Sequence, residues 1–250
     1  MYPAPSHSQK KVKVLSKGKP EFERVYLKAL QRSNRMVSDA ELQELPHTFF
    51  YTMHKPAWEK RAYISEKLIQ YLSKKKEPFK AIDLGCGNGW LAARMAEIQQ
   101  STIAAVDINL IELEQAARVF QHKNLELYYG DIFKNILSKG EWDYIILFDT
   151  ISYFPNLVKL INRCREYLTA EGEIHILESP FYQEREIEKA QKETEAFYKE
   201  LRSEEMMEFH HFHSKQDIQD FDYTYLYQPS RLKSIFNKKA SNYPWIRITN

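Results

Sequence analysis

Glycine is scarce in this 250-residue chain: only 7 residues are Gly, well below the roughly 7% of ordinary usage. Three of them, Gly85, Gly87 and Gly89, nevertheless fall within five consecutive positions, so the residue that tolerates left-handed backbone is concentrated at one turn. Cysteine is scarcer still. Cys86 and Cys164 form no even, clustered disulfide framework and no CxxC pair at zinc spacing, which excludes a stapled secreted fold and a cysteine-zinc module. Long apolar runs are missing too. Stretches such as Tyr144–Phe148 fall far short of the ~20 residues that span a bilayer, and the polar start MYPAPSHSQKK has no apolar signal core. The expectation is a cytosolic protein with no membrane partner. With 36 basic against 34 acidic residues and a net charge of +2, an electrostatic footprint for nucleic acid is also absent.

What the chain does have is core. Apolar residues at 43%, aromatics at 14% and charged residues at 28% exclude disorder, and the length suits one domain with appendages. Residues 1–20, with Lys10, Lys11, Lys13, Lys17, Lys19, three prolines and no acid, read as a flexible basic tail. Residues 21–76 read as a helical cap, in which Ile64, Leu68, Tyr71 and Leu72 share a face, Lys74–Lys76 close the run, and Phe49, Phe50, Tyr51 and Trp58 form an aromatic entry. The remainder, 77–250, is the main domain. Beyond Pro78, apolar segments at 79–84, 102–106, 125–129, 144–148 and 174–177 alternate with helical periodicity at 110–121, behind Asn109 with Glu112 as a capping pair, and at 157–168 behind Asn156. Strands separated by helices run parallel, so the expected class is α/β, a Rossmann-like doubly wound sheet. After Pro180 a charged helix over 183–202 leads to a candidate substrate lid ending near residue 213. Tyr223, Tyr225 and Tyr227 then share a strand face, and 244–249 supplies a partner for a C-terminal antiparallel pair.

The sharpest motif is AIDLGCGNGW, residues 81–90, running from a buried strand through a glycine turn into a helix. In a parallel sheet the first such turn faces the crevice where ligands collect. Its spacing is G-x-G-x-G, with Trp90 where a dinucleotide fingerprint wants its third glycine. Acids end three later strands, Asp107, Asp131 and Asp149; a carboxylate at the second strand end can accept bonds from vicinal ribose hydroxyls. Together with Asp83 they repel a pyrophosphate and welcome a cation.

AIDLGCGNGW, then VDIN, GDIF, WDYIILFDTISYFPN and LTAEGEIHILESPF resemble the successive motifs of class I S-adenosylmethionine-dependent methyltransferases, over about residues 79–180. The resemblance implies S-adenosylmethionine as cofactor. It places Gly85, Cys86, Gly87 and Gly89 along the methionine and ribose portion, with Asp83 orienting that loop and the ligand's amino end. It also places Asp107 on the ribose hydroxyls, Ile108 on the adenine face, Asp131 and Ile132 at the adenine edge, and Asp149 beside methyl donor and acceptor. Asp131 is equally a helix N-cap, Cys86 reads as a small loop filler rather than a nucleophile because no basic partner sits beside it, and Arg61 either reaches the ligand's carboxylate or is a solvated helix residue.

Candidate catalytic groups are Tyr153, Glu178, His210 and His211. The run Phe209–His213 has no acidic companion at metal-ligand spacing, so no metal is assigned. The DPPY-like tetrad of amino-methylating DNA enzymes and the Pro-Cys pair of the cytosine C5 route are both missing, which favours a small-molecule acceptor with an O, N or C nucleophile. Two other readings stay open: a non-catalytic S-adenosylmethionine-binding or protein-interaction module, and an NAD-dependent oxidoreductase, which Trp90 weakens.

Overall fold

The computed structural model describes residues 11–47, 53–230 and 237–250. Eight strands form one sheet: β1 (Lys13–Val14), β2 (Phe79–Leu84), β3 (Ser101–Asp107), β4 (Leu125–Tyr129), β5 (Trp142–Phe148), β6 (Leu168–Leu177), β7 (Tyr223–Tyr227) and β8 (Trp245–Thr249). Their order is β1-β4-β3-β2-β5-β6-β8-β7. Every pairing among β1 to β6 is parallel, and β8 lies antiparallel between β6 and β7. From β2 the chain winds outward through β3 to β4, then returns to add β5 on the opposite side of β2. The strand order therefore switches at β2/β5, and the crevice beyond their carboxyl ends opens above the glycine turn.

Among the described residues there are seven α-helices: α1 (Pro20–Arg32), α2 (Asp39–Glu44), α3 (Lys55–Ser73), α4 (Trp90–Ala96), α5 (Leu110–Val119), α6 (Leu157–Arg165) and α7 (Glu184–Glu200). Successive strand residues enter opposite cores, as the pleat requires. Ala81, Ile103, Leu127, Tyr144 and Ile146 join Ile64, Leu68 and Leu72 of α3 and the apolar faces of α4 and α5. Ile82, Ala104, Ile145, Leu147 and Ile174 meet Leu157, Leu160, Ile161 and Cys164 of α6. Burial on both faces is why β2, β3 and β5 read as continuous apolar runs. Asn156 caps α6 by accepting the Lys159 amide at 2.8 Å, and Ser38 with Glu41 makes a reciprocal capping box on α2.

Three expectations are corrected. The basic tail is not free over its described part: β1 pairs with β4, the Leu15 amide donates to the Tyr129 carbonyl at 2.9 Å, and Ser16 Oγ accepts the Asp131 amide at 2.9 Å. Few apolar anchors hid this, because an edge strand needs only backbone partners. The segment 21–76 is not a separate cap, since α3 is built into the main core; Phe49, Phe50 and Tyr51 lie outside the described residues. Nor does the tyrosine strand keep one face. A register shift between Tyr225 and Tyr227 sends Tyr227 into the α3 side while Tyr223 and Tyr225 pack on the α6 side.

A buried polar group fastens α3 to the C-terminal strands. The Trp245 indole donates to His175 Nδ1 at 3.0 Å, so the proton sits on Nε2, 3.1 Å from Glu173, which also accepts the Tyr71 hydroxyl at 2.7 Å. Burial pushes His175 below the ordinary imidazole range despite Glu173. Burial would raise the Glu173 carboxyl, but the bonds from His175 and Tyr71 outweigh it and hold it low. Both groups are depressed, so their contribution is present at neutral pH and is lost on acidification, first as pH falls through the unfolded imidazole range. Glu173→Ala strands two donors, His175 and Tyr71, and is expected to cost about 2–4 kcal/mol, read by urea denaturation. Lys192→Ala, which breaks only an exposed i,i+4 pair with Glu188, is expected to leave the midpoint unchanged.

Candidate functional site

The turn after β2 is built from backbone that only glycine adopts easily: φ is +74° at Gly85, +52° at Gly87 and +72° at Gly89. Asp107, the last residue of β3, holds it. Its Oδ2 accepts the Gly87 amide at 2.7 Å and its Oδ1 accepts the Asn109 amide at 2.8 Å. One carboxylate thus ties the turn to the start of α5. That bond also revises the capping pair, because the Asn109 amide is taken by Asp107 and Glu112 instead accepts the Asn109 side-chain amide at 2.8 Å.

The glycines divide their tasks. A Cβ at Gly85 would overlap the Thr150 side chain, one at Gly89 would stand 3.1 Å from Ala116 of α5, and one at Gly87 would meet only the Glu112 carboxylate at 3.4 Å. Gly89 is buried and lines neither cavity described below; it serves close packing of α4 against α5 and not the ligand contact expected of it. Gly85 and Gly87 do line the crevice.

Two cavities, of about 310 and 380 Å³, meet over this turn and share Tyr26, Gly85, Gly87 and Asp149. The smaller is lined by Arg35, Trp58, Arg61, Asp83, Cys86, Trp90 and Glu112 among others. The larger is lined by Phe22, Asp107, Ile108, Asp131, Ile132, Tyr153, Phe154 and His211 among others. Ten of the eleven residues expected at the cofactor, all except Gly89, thus line one crevice. Arg61 is no solvated helix residue: its guanidinium pairs with Asp149 at 2.5 Å and stacks 5.2 Å from the Trp58 ring centre. Asp149 itself holds a left-handed φ of +53°, backbone strain at the strand end that faces both cavities. Asp131 keeps both of its readings, lining the cavity while its Oδ1 accepts the Phe133 amide at 3.0 Å.

The catalytic candidates separate. Tyr153 and His211 line the larger cavity. Glu178 lines neither, being buried with the Ser241 hydroxyl donating to it. His210 also stands back, with Nδ1 3.1 Å from the Tyr198 hydroxyl, and burial pushes it down to about 4. His213 donates from Nε2 to the Ile151 carbonyl at 3.0 Å, which makes it a structural strut. Among the described residues no three metal-ligating side chains converge.

Negative potential dominates the floor. Burial raises the Asp83 carboxyl to about 7, with the Asp107 charge adding to it. Burial raises Asp107 to about 6 against the amide bonds that favour its ionised form. Glu112, buried and beside Asp107, rises to about 8. Asp83 Oδ2 is buried without any hydrogen-bond partner, an acceptor left over at the base of the turn. Tyr26, Arg35, Glu112 and Phe154 were missed as site residues. Glu112 carried only a capping signal, and Arg35 carried none, because what selects it is where α1 ends.

Substitutions at the turn distinguish these roles. Gly85→Ala, which combines left-handed strain with overlap on Thr150, is expected to destabilise by about 2 kcal/mol or more, and Gly87→Ala by only about 1 kcal/mol, both read by chemical denaturation.

A family model described as a methyltransferase domain matches residues 75–239. A malonyl-[acyl-carrier protein] O-methyltransferase of Halalkalibacterium halodurans is 29% identical over 119 residues, 44% of each chain, so the chain spans less than half the length of this curated relative. Among solved structures, geranyl diphosphate C-methyltransferase from Streptomyces coelicolor superposes with a TM-score of 0.58 at 11% identity, covering 94% of this chain and 98% of that one. A SAM-dependent methyltransferase from Aquifex aeolicus gives 0.50 at 12% identity, over 86% of this chain and 98% of its own. These two likenesses concern the fold. With the glycine turn, the strand-end acids and the match over most of the chain together, the protein belongs to the methyltransferase-domain family, among the class I S-adenosylmethionine-dependent methyltransferases.

Proposed function

We propose that the chain transfers the methyl group of S-adenosylmethionine to a small molecule held above Asp149. The observation that carries this reading is the acidic floor: Asp83, Asp107 and Glu112 crowd a turn whose leftover acceptor, Asp83 Oδ2, calls for a donor. A ligand with an ammonium and a sulfonium supplies positive charge to such a floor; a pyrophosphate would not.

The residues present fit the cofactor. Asp107 would meet the ribose hydroxyls with the lone pairs it does not spend on Gly87 and Asn109. Ile108, Ile132 and Phe154 offer apolar surface to the adenine, with Asp131 at its edge. Gly85 and Gly87 bring backbone against the methionine portion, Cys86 fills the loop beneath, Asp83 favours the amino end, and Arg61 offers its remaining N–H groups to the carboxylate. When bound, the cofactor supplies an activated methyl carbon whose bond to sulfur breaks as the acceptor's lone pair attacks.

The protein's part is then alignment and exclusion of water. Asp149, pinned by Arg61 and shared by both cavities, stands where donor and acceptor meet. An acceptor that carries a proton needs a base, and of the four candidates Tyr153 and His211 are placed at the cavity. Burial raises Tyr153 strongly, so it stays a phenol, whereas His211 is lowered by burial and by His213, leaving a neutral imidazole able to accept. The name of the curated relative favours an oxygen nucleophile.

The raised carboxyls set the sign of the pH dependence. They hold protons near neutrality in the free protein, and a cation favours their ionised forms, so S-adenosylmethionine is expected to release protons on binding and to lose affinity as pH falls from about 8 through 6. Calorimetry in buffers of different ionisation enthalpy measures both, and NAD is expected to give no heat. Asp107→Ala, which frees the turn as well as the ribose, is expected to weaken cofactor binding by roughly 100-fold. A screen of small-molecule acceptors for S-adenosylhomocysteine formation tests turnover; binding without turnover on any acceptor would favour the non-catalytic module.

A further inference from the structure

Arg35 is a cation of the crevice that the cofactor's fit leaves unused, as is Lys19 of the larger cavity. Arg35 follows the end of α1, where Asn34 takes a left-handed φ of +53° and the Arg35 amide closes onto the Leu30 carbonyl at 2.9 Å. Its backbone is therefore fixed by a helix-end motif and not by packing of the side chain. Arg35 is open to solvent although protein surrounds it, because it lines the smaller cavity. Its electrostatic neighbours are Tyr26, Tyr153, Asp149 and Glu112, and Tyr198 of α7 senses it as well. Among the described residues no hydrogen bond or ion pair engages its guanidinium, nor the hydroxyls of Tyr26 and Tyr153. Arg61 differs on each count, being already paired with Asp149 and stacked on Trp58.

Resting on the methyltransferase reading above, we propose that Arg35, with the Tyr26 and Tyr153 hydroxyls, is the specificity site of the acceptor and binds a carboxylate that the acceptor carries. Three features point this way. S-adenosylmethionine has a single carboxylate, for which Arg61 stands beside Asp149 and the glycine turn. Arg35 lines the smaller cavity, and its electrostatic neighbours include Tyr153 of the segment after β5 as well as Asp149. A planar guanidinium forked onto a carboxylate, with phenols donating to its outer lone pairs, engages two of the five guanidinium N–H groups and both hydroxyls. The fork meets the two coplanar oxygens of a carboxylate, and inorganic phosphate in the titration shows whether any anion suffices.

The test uses the full chain saturated with S-adenosylhomocysteine, so that the cofactor's own carboxylate is already seated, and titrates malonate, its neutral isostere malonamide, and inorganic phosphate by calorimetry. The loaded wild type is expected to bind malonate and neither of the others. Arg35→Gln is expected to lower malonate affinity at least about tenfold while shifting S-adenosylhomocysteine affinity less than about twofold, with Arg35→Lys recovering part of the loss. A loaded wild type that ignores malonate, or prefers phosphate or malonamide, overturns the proposal. So does an Arg35→Gln variant, folded by its thermal transition, that loses the cofactor analogue and keeps malonate, since the guanidinium then serves the cofactor. Failure of the wild type to bind S-adenosylhomocysteine at all would instead count against the methyltransferase reading on which this one rests.

Discussion

A single buried carboxylate sets the geometry on which the crevice depends. Asp107 spends one oxygen on the turn after β2 and the other on the first turn of α5, so two loops that approach from different strands are positioned by one rigid group. Those bonds also keep the side chain from shedding its charge completely, since amide donors stabilise the ionised form while burial opposes it. Its neighbours feel the consequence. Asp83 and Glu112 rise in part because Asp107 is there. A site that carries this much like charge in a desolvated place is less stable alone than with a cation, and its stored repulsion becomes affinity for a positively charged ligand.

The floor and roof of the crevice are built differently. The floor is the carboxyl edge of strands whose side chains fill two extensive cores, so its positions are held by the bulk of the molecule. The roof rests on a small third cluster whose fully buried members are Phe22, Val25, Ala29, Tyr198 and Met206, with Tyr153 and Phe209 packed against them. Fewer buried contacts mean a smaller free energy for local opening. The elements proposed to contact the acceptor, and with them Ile108 on the proposed adenine side, thus rest on the packing most easily rearranged.

The sheet was legible because its strands are buried on both faces and announce themselves as apolar runs; the 125–129 strand and the α5 start at Leu110 fall where the pattern put them. Strand β6 began earlier than expected, at Leu168, because Leu168 pairs with Trp142 ahead of a register shift, and residues 169–172 fall in that irregularity, where no apolar side chain is required. The cofactor side of the site was legible for the same physical reason as the turn: glycines at left-handed positions and acids at strand ends are local demands, visible in the residues themselves. The acceptor side was not. Arg35 and Tyr26, proposed for that side, line the crevice through where separate elements meet, and no spacing along the chain encodes that meeting. Glu178 and His210 show the converse, since both had suitable chemistry at suitable strand or loop positions and both are turned into hydrogen bonds away from the cavities.

The pairing of β1 with β4 bears on how the chain is made. Ser16 and its partner Asp131 are 115 residues apart, so on the ribosome the amino-terminal segment emerges long before the edge that will receive it. Until then the exposed flank of β4 has no occupant and the incoming strand has no template, so this edge closes only once residues 125–131 have been made, through a long-range pairing that is intrinsically slow. Because the Asp131 amide finds its Ser16 partner only at that step, the cavity wall that Asp131 lines is finished no earlier.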